Sequence, residues 1–153
     1  MAYKTISDIA IDGKKVLLRL DLNVPLKEGK IKDMTRIDAS LPIIKYAMEH
    51  KAKVILCSHL GRPDGKRNPE ESLRLVAEAL SKKLGVAVPL SPDCIGNEVQ
   101  SEVDRMMPGD LLLLENLRFH AGEEANDAEF TKELAALAEV YINDAFGTAH
   151  RAH

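Results

Sequence analysis

Five short apolar runs alternate along the chain with segments of helical period. The runs cover residues 16–20, 54–57, 86–90, 111–114 and 140–142. Most of them carry apolar residues at successive positions, which is typical of strands buried on both faces of a parallel sheet. Each run therefore predicts one strand of a central sheet.

Four amphipathic segments between the runs predict helices. Two have apolar faces at helical spacing, made of Ile37, Leu41, Ile44 and Met48 and of Leu73, Val76, Ala77, Leu80 and Leu84. Pro42 predicts that the first helix starts just before it or bends there, and Gly85 is expected to end the second. A shorter helix is expected within 93–103. A last helix is expected from Asn126, with Phe130, Leu134 and Leu137 on its buried face. The alternation of strands and helices predicts an α/β fold, a three-layer Rossmann-like doubly wound parallel sheet.

Composition limits the class of protein. The 153 residues suit one domain, and 45% hydrophobic with 29% charged residues is ordinary for a globular chain. A net charge of −3 gives no overall attraction to nucleic acid or anionic membrane, so any anion site must be local. No run approaches the ~20 apolar residues of a membrane span. With two cysteines and no secretory pattern at the start, we expect a cytoplasmic protein with reduced thiols.

Polar and charged side chains follow the predicted strands, where ligands bind in open α/β sheets. They are Asp21, Asn23, His59, Arg62, Arg118 and Arg151, and Arg36 joins them at the start of the first helix. Arginine suits a bidentate grip on phosphate or carboxylate, and clustered cations repel one another without an anion. The set predicts a site for a small, multiply anionic, hydroxylated metabolite. Taken singly, each arginine has the alternative interpretation of a solvated surface group.

Several other chemistries lack their motifs. There is no Gly-x-x-x-x-Gly-Lys-Ser/Thr loop, and no Gly-x-Gly-x-x-Gly follows the first strand. Ser58, His59 and Asp64 suggest a hydrolase set, but adjacent residues cannot generally face each other as nucleophile and base. His150 and His153 are only two potential ligands, so no metal site is predicted in this chain.

Five blocks of the sequence resemble the phosphoglycerate kinase family. They are RLDLNVP at 19–25, GKI at 29–31 followed by TRI at 35–37, SHLGRP at 58–63, LENLRF at 114–119 and NDAFGTAHRAH at 143–153. The blocks keep the family's order and span nearly the whole chain. Chance agreement of one block is plausible, but agreement of five in order is not.

The resemblance implies a glycolytic and gluconeogenic enzyme that transfers a phosphoryl group from 1,3-bisphosphoglycerate to ADP, giving 3-phosphoglycerate and ATP. It implies that residues 1–153 form the substrate domain, truncated, with its sheet incomplete at the C-terminal end and the nucleotide-binding domain absent from this chain. Mg²⁺ with ADP or ATP belongs to the complete enzyme, and none is expected to bind this chain. The family expectation is a monomer, and this chain alone is expected to be inactive.

The same blocks imply the roles of the site residues. Asp21 and Asn23 would face the hydroxyl and carboxyl end of 3-phosphoglycerate, and Arg36 would be catalytic, nearest the transferring group. The phosphate that is not transferred would be held by a basic patch, which we define as His59, Arg62, Arg118 and Arg151.

Two other functions stay open. One is a stand-alone phosphoglycerate or anion-binding module without catalysis; a longer reading frame that carries a nucleotide domain would favour the enzyme over this module. The other is a nucleic-acid-binding domain that uses the same arginines. An aromatic content of 4% without tryptophan argues against the stacking of single-stranded bases.

Overall fold

The computed structural model describes residues 10–22, 24, 26–27, 30–58, 72–93, 96–115, 136–144 and 151–152. Its strands are β1 (Lys15–Leu20), β2 (Leu26–Lys27), β3 (Lys30–Ile31), β4 (Lys53–Cys57), β5 (Leu111–Leu113), β6 (Val140–Asp144) and β7 (Arg151–Ala152). Its helices are α1 (Thr35–Glu49), α2 (Arg74–Leu84) and α3 (Asn97–Asp104).

Five of the strands form one sheet in the order β5-β4-β1-β6-β7. The first four run parallel, and Leu17 at the centre of β1 lies opposite Ile55 of β4 and Tyr141 of β6. The predicted parallel sheet is confirmed. The pattern did not predict β7, which pairs antiparallel with β6, or the short antiparallel pair of β2 and β3.

Side chains alternate between two buried layers along each central strand. In β1, Leu18 packs on the face that α1 and α2 cover, whereas Leu17 packs on the face that α3 covers. In β4, Leu56 packs on the same face as Leu18, and Ile55 packs on the same face as Leu17. Burial on both faces is the reason that these strands are apolar at successive positions, and it confirms the three-layer architecture.

Helix α1 runs through Pro42, so of the two predicted alternatives the helix start just before the proline is wrong, and the bend at Pro42 stays a prediction. A proline inside a helix removes the hydrogen bond to the carbonyl four residues earlier, here that of Asp38. Both Pro42 and Asp38 are exposed, so water can satisfy that carbonyl. The buried face consists of Ile37, Ser40, Ile43, Ile44 and Ala47, whereas Leu41 and Met48 of the predicted face are only partly buried.

Helix α2 ends as expected at Gly85, which adopts the left-handed backbone with φ 71°. The predicted strand at 86–90 is wrong, since only Leu90 bridges to Leu113 of β5. Pro89 lacks an N–H, and the N–H of Val88 donates to the Ser81 hydroxyl instead of to a strand. None of the helices described here is long and apolar enough to cross a membrane.

Helix α3 begins at Asn97, later than the predicted start. The carbonyl of Asp93 accepts a hydrogen bond from the backbone N–H of Glu115, which holds residue 93 beside the end of β5. Of the predicted helix from Asn126, residues up to 135 lie outside the described ranges, and Leu137 of its expected buried face is buried but lies in a turn.

Candidate functional site

Parallel strands place their carboxyl ends at one edge of the sheet, called here the carboxyl edge. Glu115 lies two residues beyond β5, Ser58 follows β4, Asp21 follows β1 and Asp144 ends β6. Along the carboxyl edge these residues follow the order of the strands, from β5 through β4 and β1 to β6. Neighbouring strands are about 5 Å apart, so the polar groups that follow β5, β4 and β1 lie within reach of a small ligand.

The structure brings together Asp21 and Arg36, two of the predicted site residues. The Nη1 atom of Arg36 lies 3.3 Å from Oδ1 of Asp21. The Arg36 side chain is 50% exposed and that of Asp21 is 26% exposed. An ion pair this exposed contributes little to stability, about 0–1 kcal/mol. The guanidinium is therefore able to exchange this partner for an anionic ligand at small cost.

The first turn of α1 is fixed by Asp33, which sequence reasoning did not predict. Oδ1 of Asp33 accepts hydrogen bonds from the backbone N–H and the hydroxyl of Thr35, at 2.8 and 2.5 Å. Those two bonds, with a smaller contribution from the charge of Arg36, lower the pKa of Asp33 below its ordinary value of 3.8. Asp33 thus stays ionised and orders the turn from which Arg36 projects. An aspartate two residues before a helix start is a recognisable local signal.

Ser58 connects the ends of β4 and β1. Its hydroxyl oxygen accepts a hydrogen bond from the backbone N–H of Leu22 at 3.0 Å, and the bond is buried. Leu22 stands between the predicted ligands Asp21 and Asn23. The bond therefore holds the backbone of the first predicted ligand segment against the neighbouring strand.

Glu115 is a buried carboxylate at the end of β5, with 6% of its surface exposed. Oε1 accepts from the backbone N–H of Leu73 at 2.9 Å, and Oε2 accepts from the Ser72 hydroxyl at 2.7 Å. A buried carboxylate needs such donors to offset its lost hydration. Its position after an apolar strand is visible in the sequence, but its pairing with residues more than forty positions away is not.

The backbone of Arg151 lies at the same edge. It pairs with Asn143 of β6, which in turn lies opposite Arg19 of β1. Two strand spacings separate Arg151 from Arg19, about 10 Å. The four remaining predicted ligands lie outside the described residues: Asn23, His59, Arg62 and Arg118.

An open groove of about 400 Å³ is formed by β3, the residue before α1 and helix α2. It is lined by Lys30, Ile31, Met34, Leu75, Glu78, Ala79, Lys82 and Lys83. None of these is a predicted substrate ligand. In the part of the chain that the structure describes, no cluster of three or more His, Cys, Asp or Glu residues is arranged to hold a metal ion.

Comparison with known proteins decides the family. The sequence model of the family described as phosphoglycerate kinase matches residues 6–153. The chain belongs to the phosphoglycerate kinase family. A phosphoglycerate kinase from Chlorobium chlorochromatii is 59% identical over 154 residues, covering 100% of this chain and 39% of that relative.

Solved structures of the family agree with the fold. The phosphoglycerate kinase from Coxiella burnetii matches with a TM-score of 0.84 and 43% identity, over 99% of this chain and 37% of that one. The enzyme from Pyrococcus horikoshii matches with a TM-score of 0.83 and 34% identity, over 97% of this chain and 38% of that one. The chain thus spans about two fifths of the length of these phosphoglycerate kinases.

Proposed function

We propose that residues 1–153 form the 3-phosphoglycerate-binding domain of a phosphoglycerate kinase. The observation that carries this proposal is the pairing of Asp21 with Arg36 at the carboxyl edge. Both residues stand in sequence blocks that resemble the family, and they come from different elements. A carboxylate and a guanidinium at this edge suit a ligand with both hydroxyl and anionic groups.

The proposed reaction moves a phosphoryl group from the carboxyl oxygen of 1,3-bisphosphoglycerate to the terminal phosphate oxygen of ADP. The P–O bond to the carboxyl group breaks and a P–O bond to ADP forms, which leaves 3-phosphoglycerate and ATP. Transfer of this kind needs positioning and charge stabilisation from the protein more than covalent chemistry. Arg36 would stabilise the negative charge on the carboxyl-phosphate oxygens, and no nucleophile from this chain is needed.

The other predicted ligands would fix the substrate at both ends. Asp21 would accept a hydrogen bond from the substrate hydroxyl, and Asn23 would bind near the carboxyl end. The basic patch would hold the phosphate that is not transferred. The separation between β1 and the backbone of Arg151, about 10 Å over two strand spacings, is compatible with binding opposite ends of one small metabolite.

For an enzyme of the relatives' length, the proposal also includes the binding of ADP or ATP. There, Mg²⁺ would supply positive charge to the phosphates of ADP or ATP, and we name no ligand for it among the residues described here. The proposal further includes a cytoplasmic location and a monomer, because the resemblance is to a glycolytic enzyme. For this chain alone it includes substrate binding without kinase activity.

A thermal melt of this chain with and without 3-phosphoglycerate tests the proposal. A ligand that binds only the folded state at a concentration of 100 Kd stabilises it by about 2.7 kcal/mol. For a chain of this size that corresponds to a rise in Tm of about 5–11 °C. Arg36→Ala should reduce the rise, whereas Arg105→Ala, an exposed arginine at the end of α3, should leave it unchanged.

The outcomes separate the candidate functions. A cooperative melt that 3-phosphoglycerate does not move would contradict substrate binding by this chain. An equal rise with inorganic phosphate would favour the general anion-binding module. A rise specific to 3-phosphoglycerate that Arg36→Ala does not reduce would remove Arg36 from the site.

A further inference from the structure

Arg36 already contacts a carboxylate of its own chain at the place where the substrate is proposed to bind. Its Nη1 atom lies 3.3 Å from Oδ1 of Asp21, the residue directly after β1. Asp33 is a second carboxylate near this guanidinium, since the two hydrogen bonds from Thr35 and then the charge of Arg36 lower the pKa of Asp33. An anionic ligand that binds Arg36 therefore replaces one carboxylate in the presence of another.

Asp21 is the more fixed member of this ion pair. Its side chain is 26% exposed, against 50% for Arg36, and the buried bond from the N–H of Leu22 to the Ser58 hydroxyl holds the backbone beside it. Breaking so exposed a pair costs little. The larger cost comes afterwards, because the freed carboxylate stays beside the incoming anion and like charges in close contact repel.

A hydroxyl group on the ligand removes this repulsion. An ionised carboxylate only accepts hydrogen bonds, so it is stabilised by a hydroxyl donor and destabilised by a second anion. In 3-phosphoglycerate the hydroxyl is on the carbon next to the carboxyl group. The two ligand groups can therefore bind Asp21 and Arg36 at the same time, since these two side chains lie 3.3 Å apart. A ligand without the hydroxyl leaves the Asp21 carboxylate facing an anion with no donor between them.

We propose that Asp21 is a specificity-determining residue that competes with anions for Arg36 and releases it only to a ligand whose hydroxyl binds the Asp21 carboxylate. This inference rests on the proposed function and deepens it, because it assigns the rejection of anions without the hydroxyl to one ion pair. Specificity of this kind uses a repulsive element as well as an attractive one. Neutralising a residue that only bound the hydroxyl would not improve the binding of a ligand without it, whereas neutralising a competitor would.

The test compares two ligands by isothermal titration of this chain: 3-phosphoglycerate and 3-(phosphonooxy)propanoate, the analogue that lacks the hydroxyl. We expect the unsubstituted chain to bind the analogue about 100-fold more weakly or worse, because a site built around a substrate hydroxyl strongly rejects ligands without it. Asp21→Asn removes the charge at nearly constant size. This variant should bind the analogue about tenfold more tightly than the unsubstituted chain does, which corresponds to about 1.4 kcal/mol.

Glu78→Gln is the matched control, because it also removes one negative charge from an exposed ion pair. Oε1 of Glu78 lies 3.4 Å from Nη1 of Arg74, and neither residue is a predicted ligand. This variant should leave both Kd values unchanged, which separates the local effect from one of net charge. In the background of Arg36→Ala, Asp21→Asn should no longer improve the binding of the analogue, because the group for which Asp21 competes is gone.

The remaining outcomes decide against the inference. It is overturned if Asp21→Asn binds the analogue no more tightly than the unsubstituted chain, if Glu78→Gln gives the same gain, or if the gain persists in full without Arg36. Where Asp21→Asn does not fold, Asp21→Ser decides by the same comparison. If the unsubstituted chain folds but binds neither ligand, the proposed function fails and this inference fails with it. If that chain binds both ligands equally well, only the inference on Asp21 fails.

Discussion

Ser58→Ala is expected to destabilise the fold through one buried hydrogen bond. Ser58 and Leu22 are both completely buried, and the Ser58 oxygen accepts the Leu22 N–H at 3.0 Å. The alanine variant leaves that N–H buried without this acceptor. Leaving a buried donor unsatisfied costs about 1–3 kcal/mol. For a chain of about 150 residues the Tm should fall by about 2–12 °C.

Ser40→Ala supplies a matched control, since Ser40 is also a buried serine. Its hydroxyl donates to the carbonyl of Ile37 at 2.6 Å, inside α1. That carbonyl also has the helical N–H of Leu41 as a donor, so the alanine variant leaves no backbone group unpaired. Alanine is also the better helix former. We expect Ser40→Ala to change the free energy of unfolding by less than about 1 kcal/mol.

Urea unfolding of both variants measures the two free energies, with unchanged m-values as the check that the unfolded state is comparable. Amide hydrogen exchange at Leu22 reports the same bond locally and should become faster in Ser58→Ala than the global change requires. The reasoning is refuted if Ser58→Ala costs no more than Ser40→Ala, or if exchange at Leu22 does not respond.

Three other predictions concern single features of the structure. In an enzyme of the relatives' length, Arg36→Ala should lower turnover by about 100-fold, as loss of one transition-state donor does; near-normal turnover in a steady-state assay would contradict the catalytic role. The hydrogen bond from Lys15 is the largest cause that lowers the pKa of Asp104 from 3.8. The folded state therefore binds fewer protons than the unfolded state. The resulting stability is present above about pH 4 and is lost as the pH falls through the folded pKa. Asp104→Asn should therefore flatten the acid side of a plot of urea midpoint against pH, and an unchanged slope would contradict this contribution of Asp104. Gly85→Ala, at φ 71°, should lower the free energy of unfolding by about 1 kcal/mol, because alanine disfavours the left-handed backbone. Lys51→Gly, at φ 59°, should leave the free energy of unfolding unchanged or raise it. Equal losses in both variants on urea unfolding would rule out backbone strain as the reason.

The sequence predicted best the strands that are buried on both faces of the sheet. The central strands are apolar at successive positions because α1 and α2 cover one face and α3 the other. Residues 86–90 have a similar composition, but Val86 is 43% exposed and only Val88 is buried. Apolar composition alone does not distinguish a strand buried on both faces from a partly exposed segment that makes a single bridge at the edge of the sheet.

The candidate site was predictable where one side chain follows one strand. Asp21 was expected beyond the first strand, and it lies there with Arg36 beside it. The hydrogen bonds that organise the edge were not predictable in the same way. The partners of Ser58 and Glu115 are distant in the chain, and only the sheet order brings them together.

The sheet order also affects how the chain folds during synthesis. Strand β1 pairs with β4 on one side, but on its other side Val16 pairs with Val140, more than a hundred residues later. At ribosomal rates of about 5–20 residues per second, the second edge of β1 waits roughly 6–25 s for its partner. During that time it is an open, apolar strand edge, which is a site for wrong pairing with other chains. We therefore expect the nascent chain to depend on chaperone protection until β6 has emerged from the ribosome.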